Sequence, residues 1–88
     1  MKTWTKQPRD HLDYDLLLDE WMAPDDEVVS VDVQVPDGIE LTQTGIEPDR
    51  VKLWIKGGTS GQSYKFSALV YTQSRIKEVD FMLIIVET

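Results

Sequence analysis

The sequence predicts an all-β protein, an antiparallel β-sandwich of about seven short strands. Two observations predict it. Val29, Val31, Val33 and Val35 alternate with Ser30, Asp32 and Gln34, the two-residue period of a half-buried strand, and the same period returns twice further along. Turn-forming residues separate these runs: Pro36-Asp37-Gly38, Glu47-Pro48-Asp49, Gly57-Gly58 and Gly61. No stretch carries a long helical period, so the strands must cover one another as stacked sheets.

Each element follows from its residues. Residues 1–12, with Trp4, Lys6, Pro8 and Arg9, show neither period and read as an extended N-terminal arm; residues 13–88 form the sandwich domain. Asp13 to Leu18 can open a strand. Asp19-Glu20-Trp21-Met22 reads as one helical turn, stopped at Ala23 because the residue before a proline avoids the α region. The valine strand ends at Pro36. A short strand with Ile39, Leu41 and Gln43 follows, ended by Gly45 and Glu47-Pro48-Asp49. Val51, Leu53 and Ile55 alternate with Lys52, Trp54 and Lys56, and Tyr64, Phe66, Ala68 and Val70 with Lys65, Ser67, Leu69 and Tyr71. The last strand runs from about Lys77 to Val86.

The composition bounds the function. Eighty-eight residues make one domain with a modest core. The chain has no cysteine, which excludes disulfides and thiolate metal sites. A net charge of −7 speaks against nucleic-acid binding, which needs a basic footprint. The apolar run Phe81–Val86 is too short to span a membrane. No signal peptide is recognisable, so synthesis in the cytoplasm is expected. The charge is also segregated. From Asp10 to Asp49 there are thirteen acidic residues and no Lys or Arg, while Arg50 to Thr88 holds six bases against three acids. Either acidic strands lie beside basic ones in one sheet, or the subunit has sides of opposite sign.

Residues 54–64, WIKGGTSGQSY, invite comparison with a phosphate-binding loop. Such a loop places its lysine after the last glycine and opens a helix. Here Lys56 precedes the glycines and a strand follows, so the stretch reverses the chain. Tyr64 follows that corner. In immunoglobulin-like sandwiches a tyrosine near the start of the penultimate strand bonds back to the backbone upstream. Tyr64 is the candidate for such a tyrosine corner, which makes the expected fold immunoglobulin-like.

Catalytic equipment is sparse. His11, the one histidine, lies in the arm, and nucleophilic catalysis needs a base oriented beside an activated Ser, Cys or Thr. Asp13, Asp15, Asp19, Glu20, Asp25, Asp26 and Glu27 could gather oxygen ligands for calcium, but without EF-hand spacing they read as a solvated acidic end. No enzyme, cofactor or metal is expected.

One feature calls for a covering. With Tyr64, Phe66, Ala68, Val70, Val79, Phe81, Leu83 and Ile85 turned inward, Trp54, Leu69, Tyr71, Met82, Ile84 and Val86 face outward. Apolar residues on both faces of a strand require cover on both sides. Either the N-terminal segment, with Trp4, Leu12, Tyr14 and Trp21, lies across them, or another molecule does. These six residues form the candidate interface.

The order of motifs resembles the small immunoglobulin-like proteins of tailed bacteriophages known as fibre–tail adaptors. The resemblance begins at Lys6-Gln7-Pro8-Arg9-Asp10, passes through Leu12-Asp13-Tyr14 and Trp21-Met22, and resumes at Val28 and Ser30, then Val35-Pro36-Asp37-Gly38-Ile39. It is strongest from Val51 to Tyr64, where the family pattern is a strand, Gly-Gly-Thr, one residue, Gly, two residues and Tyr. Ser74 stands where the family tends to have glycine before Arg75, and Val33 where a tryptophan is frequent. The resemblance implies a non-enzymatic virion protein of the neck or tail, made in the bacterial host cytoplasm. Its partners would be other virion proteins or copies of itself, with no nucleic acid and no membrane. The alternatives are a carbohydrate- or calcium-binding module and a capsid decoration protein.

Overall fold

The computed structural model describes residues 2–87. Seven strands follow in chain order: β1 (Lys2–Lys6), β2 (Leu12–Leu17), β3 (Val28–Gln34), β4 (Ile39–Glu47), β5 (Arg50–Gly57), β6 (Ser63–Thr72) and β7 (Ile76–Ile85). No helix occurs among the described residues. The strands form a four-stranded sheet of order β1-β7-β6-β3 and a three-stranded sheet of order β2-β5-β4, packed as a sandwich. All pairings are antiparallel except β1 with β7.

The core lies between the sheets. Val51, Leu53 and Ile55 from β5 meet Phe66, Ala68 and Val70 from β6 and Phe81, Leu83 and Ile85 from β7, all without solvent exposure. These are the positions that the two-residue period turns inward. Phe66 and Phe81 lie opposite each other in the β6–β7 ladder and stack at 4.8 Å.

Three departures from the expected elements have physical causes. Lys2–Lys6 is not a separate arm; it enters the larger sheet as β1, and Trp4 and Lys6 point inward. The period was present but one inward position is a lysine, which reads as polar, and the pairing partner lies at the other end of the chain. Lys6 is 2% exposed and its ammonium donates to the carbonyls of Gln7 (2.6 Å) and Pro8 (3.2 Å). Burial lowers its pKa from the usual lysine value.

The valine strand carries a bulge between Val28 and Ser30, so Val28 takes the buried position and Val29 is 59% exposed. Val31 and Val33 still pack on the core. A bulge adds one unpaired residue and shifts the phase of what lies before it. A second bulge, between Leu41 and Gln43, turns Gln43 opposite Trp54 and lets β4 run through Gly45 to Glu47. After β2, Trp21 and Met22 donate their amides to the Leu18 carbonyl at 3.1 and 3.0 Å, the single turn expected there.

Candidate interaction surface

The motifs that carry the family resemblance converge on two structural clusters. At one, the turn after β3 meets the loop after β5. Gly58 donates its amide to the Gly38 carbonyl at 3.0 Å, and the Tyr64 ring lies over Gly38. The Tyr64 hydroxyl accepts from the Thr59 amide at 3.0 Å. Gly58 has φ +98°, and a Cβ there would come within 2.6 Å of Ile85 Cδ1, so only glycine fits. At the other cluster, Arg75 donates to the Trp21 carbonyl at 3.0 Å, and Arg75 and Lys77 stand over the Trp21 ring at 5.7 and 5.5 Å. Ser74 is used here: its hydroxyl joins that of Thr72 in donating to Asp26, at 2.8 and 2.7 Å. These hydroxyls, Thr72 first, hold the Asp26 carboxyl below its ordinary pKa.

The aromatic residues of the N-terminal half pack inward. Trp4 stacks on Tyr14 at 4.8 Å and leans on Phe81 at 4.7 Å, while the Tyr14 hydroxyl donates to the Thr5 carbonyl at 3.0 Å. Trp4, Tyr14 and Trp21 all border the core. This closes the sandwich along the side where β1 and β2 meet. It leaves the outer face of the larger sheet without cover from these residues.

The six candidate interface residues are all half-exposed, and they do not share one patch. Trp54 stands on the outer face of the smaller sheet, between Asp13 of β2 and Gln43 of β4. The His11 ring meets its edge at 6.0 Å and reaches the Thr42 hydroxyl at 2.7 Å. Four of the others belong to the larger sheet, and Val86 directly follows its strand β7. Leu69 and Tyr71 lie at one end of the β6–β7 hairpin, and Met82 and Ile84 toward the other, where Val86 donates its amide to the Lys6 carbonyl. Eight residues separate the Tyr71–Ile76 row from the Ser63–Ile84 row, about 27 Å at strand spacing.

Between the two apolar ends the outer face is polar. An open groove of about 490 Å³ is lined by Gln34, Ser67, Lys65, Glu78 and Asp80, with Pro36 beside them. Asp80 sends one carboxylate oxygen to within 3.8 Å of Lys65 Nζ; the other is buried with no hydrogen-bond partner. Sequence reasoning missed both the groove and Ile76, 65% exposed beside Tyr71. Ile76 could have been found from the Gln73-Ser74 turn, which sets the hairpin register. The groove could not, because Gln34 and Asp80 meet only through pairing of distant strands.

Charge on the smaller sheet is paired across strands. Lys52 bridges Asp13 (2.9 Å) and Asp15 (3.1 Å), Arg50 reaches Asp15 (3.4 Å) and Asp49 (3.2 Å), and Lys56 faces Glu40 (3.7 Å). The Lys52 hydrogen bond lowers the Asp13 pKa and raises that of Lys52. Acidic β2 and β4 therefore flank basic β5, and three of the six bases after Asp49 pair with four of the thirteen acids before Arg50. Asp32, Asp37 and Glu47 are exposed and make no ion pair among the described residues. No three His, Asp or Glu side chains among the described residues form a group able to hold a metal ion.

What this arrangement offers is surface: sheet faces, edges and paired charge. A family model described as podophage GP4 fiber-tail adaptor protein gp77 matches residues 6–84, nearly the whole chain. No curated protein matches the sequence. The chain therefore belongs to the podophage GP4 fiber-tail adaptor family.

Proposed function

We propose that this protein is a non-enzymatic virion component that joins fibre and tail by protein–protein contact. The observation that carries the reading is the family match over residues 6–84. The uncovered outer face of the larger sheet supports it. A half-exposed apolar pair, Leu69 and Tyr71, with Ile76 beside them, forms one contact; Met82, Ile84 and Val86 form a second. Aromatic anchors dominate such contacts, which makes Tyr71 the residue whose truncation costs most. Trp54, on the opposite sheet, would meet a different neighbour, as a linking protein requires.

The immunoglobulin-like assignment belongs to the same reading. Sheet order β2-β5-β4 and β7-β6-β3 is the order of B-E-D and G-F-C in that fold, with the first strand placed beside the last. The Tyr64–Thr59 hydrogen bond supports Tyr64 as its tyrosine corner. Calcium binding gains no support, since Asp13 and Asp15 are engaged by Lys52 and Asp26 by two hydroxyls.

Surface-immobilised chain, probed with the purified tail and fibre proteins of its own phage, tests the reading. Saturable binding of both is expected, weakened at least tenfold for one of them by Leu69→Ser/Tyr71→Ser. Binding of neither would overturn it.

A further inference from the structure

We infer that the free edge of β3 accepts an extended, lysine- or arginine-bearing segment of a partner protein, which adds to the larger sheet as a fifth strand. The inference deepens the adaptor reading by naming the chemistry of one partner.

The larger sheet ends in β1 on one side and β3 on the other. The β1 edge is partly closed, because the Tyr14 hydroxyl takes the Thr5 carbonyl. The β3 edge is different. Its sequence, VVSVDVQ, is rich in β-branched residues and holds no lysine, arginine or proline. Edge strands are ordinarily guarded by such residues or by a bulge. The bulge of β3 lies at Val29, so the stretch from Ser30 to Gln34 stays regular, in unbroken register with β6. No backbone pairing joins β3 to β4 among the described residues. Every second residue of β3 thus presents its N–H and C=O outward, the template used in strand addition.

Charge selects the occupant. On this side Asp32, Asp37 and Glu47 are exposed and unpaired among the described residues, and Lys56 and Lys65 are turned to Glu40 and Asp80. An added strand would direct alternate side chains over the outer face, beside Asp32 and next to the Gln34 end of the groove. A cation there meets the exposed Asp32 carboxylate, with Asp37 just beyond the end of the strand. An acidic or apolar segment gains none of this.

The full chain, isotopically labelled, is titrated with a ten-residue peptide alternating lysine and valine, and with its glutamate counterpart. Amide exchange and chemical shifts are read by NMR. The expected result is slowed exchange at alternate amides of 30–34 with the lysine peptide alone. Asp32→Lys and Asp37→Lys, both at exposed positions, should each weaken binding tenfold or more. Equal effects of the two peptides, protection confined to β1 or to the Leu69–Tyr71 end, or self-association through β3 without peptide would overturn the inference. Were the Asp32→Lys protein to keep full affinity for both fibre and tail proteins, strand addition would fall and the adaptor reading would stand.

Discussion

The Tyr64 hydroxyl accepts a hydrogen bond from the Thr59 amide at 3.0 Å while its ring covers Gly38, so one side chain ties the β5–β6 loop to the turn after β3. Removing only the oxygen, in Tyr64→Phe, should lower the unfolding free energy by about 1 kcal/mol. Gly58→Ala should cost more, roughly 1–3 kcal/mol, from left-handed backbone strain and contact with Ile85. Urea denaturation of both variants checks the order; a Tyr64→Phe protein as stable as the parent would remove the loop tie from the description.

Asp26 makes stability sensitive to acid. The Thr72 hydroxyl, then that of Ser74, holds its folded pKa below 3.8. The unfolded chain therefore binds more protons as pH falls through that range, and the folded state loses stability there. The contribution is complete above pH 3.8 and fades as pH drops through the folded value. Asp26→Asn should flatten the fall in melting temperature between pH 4 and 2. An unchanged slope would mean that other carboxylates, such as Asp13 and Asp49, carry the effect.

Lys6 acts at the other end of the scale. Its pKa is lowered from 10.5 by burial, with Asp10 opposing, so the unfolded chain binds the proton more readily in the window just below 10.5. Stability should rise with pH through that window. Tyr14 works the other way: burial raises its pKa above 10.0, and stability falls once phenolate forms in the unfolded chain. Chemical denaturation at intervals from pH 8 to 10 should therefore show a rise in Tyr14→Phe that is absent from Lys6→Met/Tyr14→Phe. A rise persisting without Lys6 would contradict this.

Trp54 and Tyr71 stand on opposite sheets. Trp54→Ser and Tyr71→Ser should impair binding to different partners, each change leaving the other partner's affinity within about twofold, as expected of distant sites. Surface plasmon resonance against fibre and tail proteins separates them. Loss of the same partner in both variants would place the two residues in one interface.

The core was legible because β5, β6 and β7 keep their period without interruption: Val51, Leu53, Ile55, Phe66, Ala68, Val70, Phe81, Leu83 and Ile85 all lie inside. It failed where backbone geometry broke the count. The bulges at Val29 and Thr42 shift phase by one residue, and neither position carries a glycine or proline to announce it. β1 escaped because its inward Lys6 hides the alternation, and because parallel pairing with β7 joins the two ends of the chain. The candidate surface was read strand by strand, which finds outward residues but not their grouping. That Trp54 belongs to the other sheet, and that Asp80 meets Gln34 in a groove, depends on sheet order, which no local pattern contains.

Fibre content of phage particles made without this protein tests the linking role most directly. Quantitative mass spectrometry of purified particles should find tail proteins at wild-type ratio to capsid and fibres reduced at least tenfold, restored by the parent chain and not by Leu69→Ser/Tyr71→Ser. Particles that lack the protein yet carry a full complement of fibres would contradict it.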